Sequence, residues 1–258
     1  RKFCIYQIII DSILKEMLDR FHTYYLRQRF FPNWFSVFIN PFYFIRKRLI
    51  EKVRRLAPQL EGELLDFGCG AKPYQELFPH LRSYLGVDIE NEGHNHKTEE
   101  IDVYYDGVRL PFDDDSFDAI LTSEVLEHVP NVDGCLTDLV RVLRPGGKML
   151  VTVPFIWAEH ELPYDFRRFS LIGIRKHITD QGLTILAEER SGHFAEVVLQ
   201  LWMAYLRSLF YVKNKYVNLL MNAIFIAPVC ILGGAIVWLL PRKPELYFNT
   251  IILAQKKI

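Results

Sequence analysis

Three groups of side chains in this sequence have the types and spacing to do chemistry. The first is a glycine pair closing an apolar run, Leu64-Leu65-Asp66-Phe67-Gly68-Cys69-Gly70-Ala71-Lys72-Pro73. Lacking Cβ atoms, Gly68 and Gly70 let backbone pass close to a ligand, and on their own they fit a tight turn equally well. The second is a pair of aspartates at the ends of later apolar runs, Asp88 in Gly86-Val87-Asp88-Ile89 and Asp106 in Asp106-Gly107. Asp88 stands where an open α/β sheet accepts hydrogen bonds from ribose hydroxyls, and Asp106 can accept one from an exocyclic amine; either can instead cap its own loop. The third group can move protons or hold anions. Glu124, Glu127 and His128 come from SEVLEHV, and Glu159, His160, Asp165, Arg167 and Arg168 from residues 154–169. His160 is the first choice of base, because an imidazole titrates near neutral pH and this one closely follows a strand-like run. His128, beside Pro130, is the second. Arg167 and Arg168 form a fork suited to a carboxylate or phosphate, or to an ion pair with Asp165.

Other chemistries are excluded or left open. His94 and His96 flank Asn95 in a polar loop without cysteine, so no metal site is expected. Cys4, Cys69, Cys135 and Cys230 are widely spaced, which fits a reducing, cytosolic setting better than a disulfide framework. Lys plus Arg and Asp plus Glu stand at 31 each, leaving no global positive field to bind nucleic acid. The charge is uneven, however: the first sixty residues are basic and residues 61–140 acidic. A basic, aromatic N-terminal region suits either anionic lipid or plain solvation.

The elements that must position these groups follow from pattern. Apolar and basic residues recur at helical intervals from Ile8 to Arg55, broken by Pro32 and Pro41. Short strand-like runs follow at Glu63–Phe67, Tyr84–Ile89, Ile101–Tyr105, Phe117–Ser123 and Lys148–Phe155, with a helical segment over Val132–Leu143. Leu183–Glu188 and Leu246–Ala254 read as two further strands. Alternating strands and helices predict a Rossmann-like α/β fold, with a mostly parallel seven-stranded sheet and helices on both faces. The expected organisation is an N-terminal helical region (1–58), a core (59–192), an apolar helical insertion (193–244) and a final core strand (245–258).

In order, LLDFGCG, GVDIE, DGVRLPFDDDSFDAIL, SEVLEHVP and RVLRPGG resemble the class I S-adenosylmethionine (SAM)-dependent methyltransferases of the small-molecule type, a group that includes ubiquinone- and menaquinone-biosynthesis enzymes. The resemblance implies SAM as cofactor. It implies that Asp66, Gly68, Cys69 and Gly70 line the methionine part, that Asp88 with Ile89 holds the ribose, that Asp106 with Gly107 faces adenine, and that Glu124 sits beside the sulfonium or the acceptor. Many family members carry a third glycine where this chain has Lys72. Pro73 fits the first turn of a following helix, and GCGxKPY is similar to a variant in bacterial polysaccharide-pathway methyltransferases. Methyl transfer is an in-line displacement, so alignment in a dry pocket supplies much of the acceleration, and a base helps where the acceptor must lose a proton.

Tyr216–Leu240 holds no charged residue and meets the length rule for a membrane span. A single crossing would put the last strand on the far side from its sheet, so a hairpin bent near Pro228 and Gly233-Gly234 is expected, entering one leaflet and returning. A cap over the active site is the soluble counterpart. The expected function is O-methylation of a small or lipid-linked acceptor at a membrane's cytoplasmic face. The rival from another class is a SAM-binding but catalytically silent adaptor. A nicotinamide enzyme is disfavoured, because GCGAKP lacks GxGxxG spacing.

Overall fold

The computed structural model describes residues 13, 15–17, 20–89 and 100–258; His94, His96 and most of the stretch before residue 20 lie outside them. The described residues form two compact units, one of residues up to Lys47 with Leu199–Leu239, the other of Arg48–Val198 with Leu240–Ile258.

The second unit contains the sheet. β1 (Glu63–Phe67) is buried from Leu64 onward, as a strand covered on both faces must be. It pairs in parallel with β2 (Ser83–Ile89) and β4 (Phe117–Ser123). β3 (Val103–Tyr105) and β5 (Leu143–Pro154) extend the parallel sheet on either side, and β7 (Asn249–Gln255) inserts antiparallel between β5 and β6 (Thr184–Arg190). The order is β3-β2-β1-β4-β5-β7-β6. This is the expected Rossmann-like, seven-stranded, mostly parallel sheet flanked by helices.

α1 is Ser36–Ile39 and α2 is Tyr43–Leu56. The next two helices, in the sheet unit, begin at side-chain caps. Asn131 accepts from the Gly134 amide at 3.1 Å to open α3 (Val132–Val142), whose Val132, Leu136, Leu139 and Val142 are buried at helical spacing. Ser170 does the same for α4 (Leu171–Asp180), accepting from Gly173 at 3.1 Å. Several local expectations differ from the structure: β3 begins at Val103 rather than Ile101, β6 runs Thr184–Arg190 rather than Leu183–Glu188, and β7 runs Asn249–Gln255 rather than Leu246–Ala254. β5 starts at Leu143 rather than Lys148, because Arg144–Gly147 continue the strand out of α3. After the glycine loop no α-helix forms, and Pro73 precedes only a short 3-10 turn, Gln75–Leu77.

The first unit is helical. Gln200 ties it together from inside: fully buried, it accepts from the Phe44 amide at 3.0 Å and donates to Pro41 O at 2.7 Å. α5 (Phe194–Phe210) leads to a turn at residues 211–214, and then a helical run covers Lys215–Leu239 as α6 (Lys215–Met221), a π-helical segment (Asn222–Ile226) and α7 (Ala227–Leu239). The two arms return on each other: Phe210 stacks on Phe225 at 4.1 Å, and a Cβ on Gly233 would meet Leu199 at 2.4 Å. A hairpin exists, but its turn is at 211–214. Residues 227–239 stay helical because the π segment shifts the hydrogen-bond register ahead of Pro228, while Gly233 serves close packing rather than bending. An 18-residue stretch of this 25-residue run has mean hydropathy 2.3, and the run is long and apolar enough to cross a membrane.

Candidate active site

The candidate groups of the second unit follow the carboxyl ends of β1 to β5, the edge where open α/β sheets bind ligands. The glycine loop is hooked onto β2: the amides of Gly68 and Cys69 both donate to Val87 O, at 2.9 and 3.3 Å. Gly68 has φ +72° and a Cβ there would lie 2.4 Å from Val125, so both its backbone and its space require glycine. Gly70 donates its amide to Asp88 Oδ2 at 2.9 Å, and Ile89 donates to Asp88 Oδ1 at 2.8 Å. Two backbone amides thus fix the Asp88 carboxylate at the mouth of the loop. Cys69 is buried, and burial pushes its thiol up, away from thiolate chemistry.

Lys72, where this chain has no third glycine, takes up left-handed backbone itself. Its φ is +46°, its amide donates to Cys69 O at 2.8 Å, and its ammonium meets Asp102 Oδ2 at 2.6 Å. Beneath the loop Asp66 is buried and accepts from the Tyr84 hydroxyl at 2.5 Å. Burial pushes Asp66 up to about 7 against that hydrogen bond, and the Asp88 charge adds to the rise.

Past β3, Asp106 is exposed and caps its own loop, its Oδ1 accepting from Val108 and Arg109 amides at 2.9 and 3.1 Å. Those bonds hold its carboxyl below the usual range. Beside it lies a cavity of about 300 Å³ whose lining includes Phe67, Tyr105, Gly107, Val108, Leu110 and Val129, the size and apolar character a purine ring needs. A larger polar hollow of about 480 Å³ sits at the other end of the strands, where Arg144 is occupied by Asp118 and Glu63, both at 2.9 Å.

The candidate proton-moving and anion-holding residues follow β4 and β5. Glu124 sits at φ +59°, a strained backbone of the kind that clusters at functional sites. Its carboxylate is held by Thr152 Oγ1 at 2.8 Å and Asn249 Nδ2 at 2.6 Å, and Asn249 is fixed in turn by Ser191 at 2.8 Å. Glu127 is fully buried and neither of its oxygens accepts a hydrogen bond. Burial drives its carboxyl well above the usual range, with the Glu124 charge adding to the rise. His128 places Nδ1 on Tyr164 O at 2.9 Å and Nε2 3.7 Å from Glu127. The His160 ring meets the His128 ring edge-on at 4.7 Å, and its amide donates to Asp165 at 2.8 Å. Burial, with His128 adding, lowers its pKa and keeps the ring neutral near pH 7. Arg168 is locked on the buried Asp165 carboxylate at 2.5 and 2.7 Å, whereas Arg167 donates to Pro130 O at 2.8 Å, so the two guanidinium groups have different partners instead of forming one fork.

The structure therefore gathers Gly68, Cys69, Gly70, Asp66, Asp88 and Ile89 around one loop, sets Gly107 in the lining of the next cavity and Asp106 in that of an adjoining hollow, and joins His128 and His160. Sequence reasoning missed Tyr84, Tyr105, Thr152, Ser191 and Asn249. The polar Thr152 within the apolar Val151–Val153 run was the one signal available.

Residues 65–151 match the methyltransferase domain family. Phthiotriol/phenolphthiotriol dimycocerosates methyltransferase 1 of Mycobacterium ulcerans is 36% identical over 104 residues, covering 36% of this chain and 38% of that protein. The fatty-acid O-methyltransferase of Mycolicibacterium smegmatis is 36% identical over 103 residues, with 36% and 38% covered. The matched region thus spans under two-fifths of each of these two relatives. Phosphoethanolamine N-methyltransferase 2 of Haemonchus contortus, solved with SAM, superposes with TM-score 0.52 at 18% identity over 86% of this chain and 55% of that one. The cyclase SpnF superposes with TM-score 0.51 at 19% identity over 82% and 81%. This is a class I SAM-dependent methyltransferase fold. In that fold the Gly70–Asp88 cradle and the cavity beside Tyr105 adjoin one another, since Gly107 and Tyr105 also border a hollow reaching Ile89.

Proposed function

We propose that the chain is a SAM-dependent methyltransferase acting on an oxygen of a small or lipid-linked acceptor. The observation that carries the reading is the Asp88 carboxylate, fixed by the Gly70 and Ile89 amides where it can accept a ribose diol. The residues present fit SAM: Gly68 and Gly70 give the backbone room, Asp66 lies beneath the methionine end, and Phe67, Tyr105 and Leu110 wall an adenine slot. When bound, SAM supplies an electrophilic methyl group. The chain's own residues orient the partners, and a neutral imidazole of His160, with His128 behind it, takes the acceptor's proton. Glu124, braced by Thr152 and Asn249, stands beside them. Arg167 or Arg168 would meet an acidic acceptor only by leaving its present partner.

A lipidic acceptor is supported by the hairpin. Along α5, Trp202, Tyr205 and Leu209 are exposed, and along the returning arm Leu220, Ile224, Leu232, Ile236 and Trp238 are too. Such a surface costs free energy in water and suits the headgroup boundary of one leaflet. The two mycobacterial relatives are named for phthiotriol/phenolphthiotriol dimycocerosates and for a fatty acid, which points the same way. The proposed location is the cytoplasmic face of a membrane, consistent with the free thiols of Cys69, Cys135 and Cys230. Calorimetry with S-adenosylhomocysteine tests the cofactor: binding should weaken about 5- to 150-fold in Asp88→Ala, as loss of buried polar partners implies. Methyl release against lipid extracts tests turnover, which His160→Ala should lower by about a hundredfold. Absence of S-adenosylhomocysteine binding overturns the proposal, and binding without any transfer leaves the silent adaptor.

A further inference from the structure

We propose that Glu127, His128 and His160 form a binding site for a divalent transition-metal cation. Their ligand atoms all lie within 4.8 Å of one another, in a cluster of one fully buried carboxylate and two part-buried imidazoles. The His128 tautomer follows from its partner. Nδ1 faces a carbonyl oxygen, Tyr164 O at 2.9 Å, which can only accept, so Nδ1 carries the hydrogen and Nε2 presents a lone pair. That lone pair is buried without a hydrogen bond, and it faces Glu161 Oε2 at 3.6 Å and Glu127 Oε1 at 3.7 Å. Both Glu127 oxygens are likewise without a donor. Burial without a donor keeps the Glu127 carboxyl either protonated or paired with a cation, and a cation between it and the His128 lone pair would take that proton's place.

A cation held at about 2.0–2.2 Å from each ligand needs ligand atoms roughly 3–3.5 Å apart, so the cluster closes around it with movements of an ångström or so. The orienting shell is already in place: Tyr164 O sets the His128 ring, and Asp165, itself clamped by Arg168, holds the His160 amide at 2.8 Å. Two nitrogens and one carboxylate favour Zn²⁺ or Mn²⁺ over the harder Mg²⁺ and leave coordination positions open. This inference rests on the proposed methyl transfer for its purpose: with the metal bound, an acceptor oxygen would take an open position and lose its proton to solvent water, and the His160 ring, the base in metal-free protein, would serve as a ligand. It departs from the sequence expectation of no metal, which weighed only His94 and His96.

The test is a titration of the full chain, stripped with EDTA and dialysed, with ZnCl₂ or MnCl₂ alone, without cofactor or acceptor. One equivalent should bind. His128→Ala and His160→Ala should each weaken binding by a hundredfold or more, and the near-isosteric Glu127→Gln by at least tenfold, with S-adenosylhomocysteine affinity and melting temperature reporting that each variant is folded. His177→Ala removes an exposed imidazole bound to Asp133 at 2.6 Å and should change nothing, which separates the site from surface histidines. Failure of both metals to bind, or equal binding by the His128→Ala/His160→Ala double variant, overturns the proposal. So does full methyl-transfer turnover by stripped protein, an outcome that leaves the methyltransferase reading intact. Metal binding without S-adenosylhomocysteine binding does the reverse.

Discussion

The Lys72 ammonium and the Asp102 carboxylate meet at 2.6 Å, and the same Asp102 oxygen accepts the Gly86 amide at 2.6 Å. The pair holds a non-glycine residue in left-handed backbone beside the cofactor loop, where about 1 kcal/mol or more of strain has to be offset. Lys72→Met should therefore loosen the loop without touching the ligand's own contacts. We expect a loss of about 1 kcal/mol in unfolding free energy and a several-fold weaker S-adenosylhomocysteine Kd. An unaltered Kd by calorimetry would show that the loop holds its shape without the pair.

Gly68 and Val125 test the same loop from the other side. Gly68→Ala adds a Cβ that overlaps Val125, on backbone that disfavours any side chain. Cofactor affinity should fall by tenfold or more and stability by about 1–3 kcal/mol. Val125→Ala in the same chain should return the overlap part of that loss but not the backbone part. A double-mutant cycle read by urea unfolding separates the two, and strict additivity would rule out the contact.

Asp66 gives a pH dependence with a definite sign. Its folded pKa, about 7, lies above the ordinary 3.8, so the folded chain holds a proton that the unfolded chain releases between about pH 4 and 7. Stability attributable to Asp66 is fully present below pH 4 and is lost as pH rises through about 7, by an amount on the order of 4 kcal/mol. Urea midpoints of wild type minus Asp66→Asn should fall across that window. Cofactor affinity should move oppositely, because the ammonium end of SAM favours the carboxylate. A pH-independent difference would place the titration elsewhere.

Trp238 and Leu239 are 80% and 75% exposed near the end of the returning arm. Trp238→Glu with Leu239→Glu should cut co-sedimentation with phosphatidylglycerol/phosphatidylethanolamine vesicles at least tenfold and leave S-adenosylhomocysteine binding unchanged. Equal sedimentation of both proteins would remove the hairpin as the lipid contact.

What the sequence could and could not reveal follows from the range of the forces involved. β1 and β4 match their expected bounds because a strand buried on both faces is a continuous apolar run closed by a turn, information carried within a few residues. The glycine loop and Asp88 were legible for the same reason. The hairpin turn was misplaced because Pro228 reads as a breaker only if hydrogen bonding stays α-helical, and the π segment before it removes that condition. Glu127 stood among the proton-moving candidates of SEVLEHV without any sign of its burial. Its burial and its approach to His128 and His160 depend on how the segments after β4 and β5 fold together, which no local pattern encodes. Asn249 reaches Glu124 across the sheet for a similar reason, through the antiparallel pairing of β7 with β5.

That antiparallel strand also sets an order of events during synthesis. β7 lies between β5 and β6, yet it is the last strand made, so residues 155–248 must leave the ribosome before either neighbour gains its partner. Until then β5 and β6 each keep an open edge, and the Asn249 brace on Glu124 is missing. The apolar hairpin emerges during that interval. A chain cut short anywhere before Asn249 would carry the glycine loop without β7 and without the brace on Glu124.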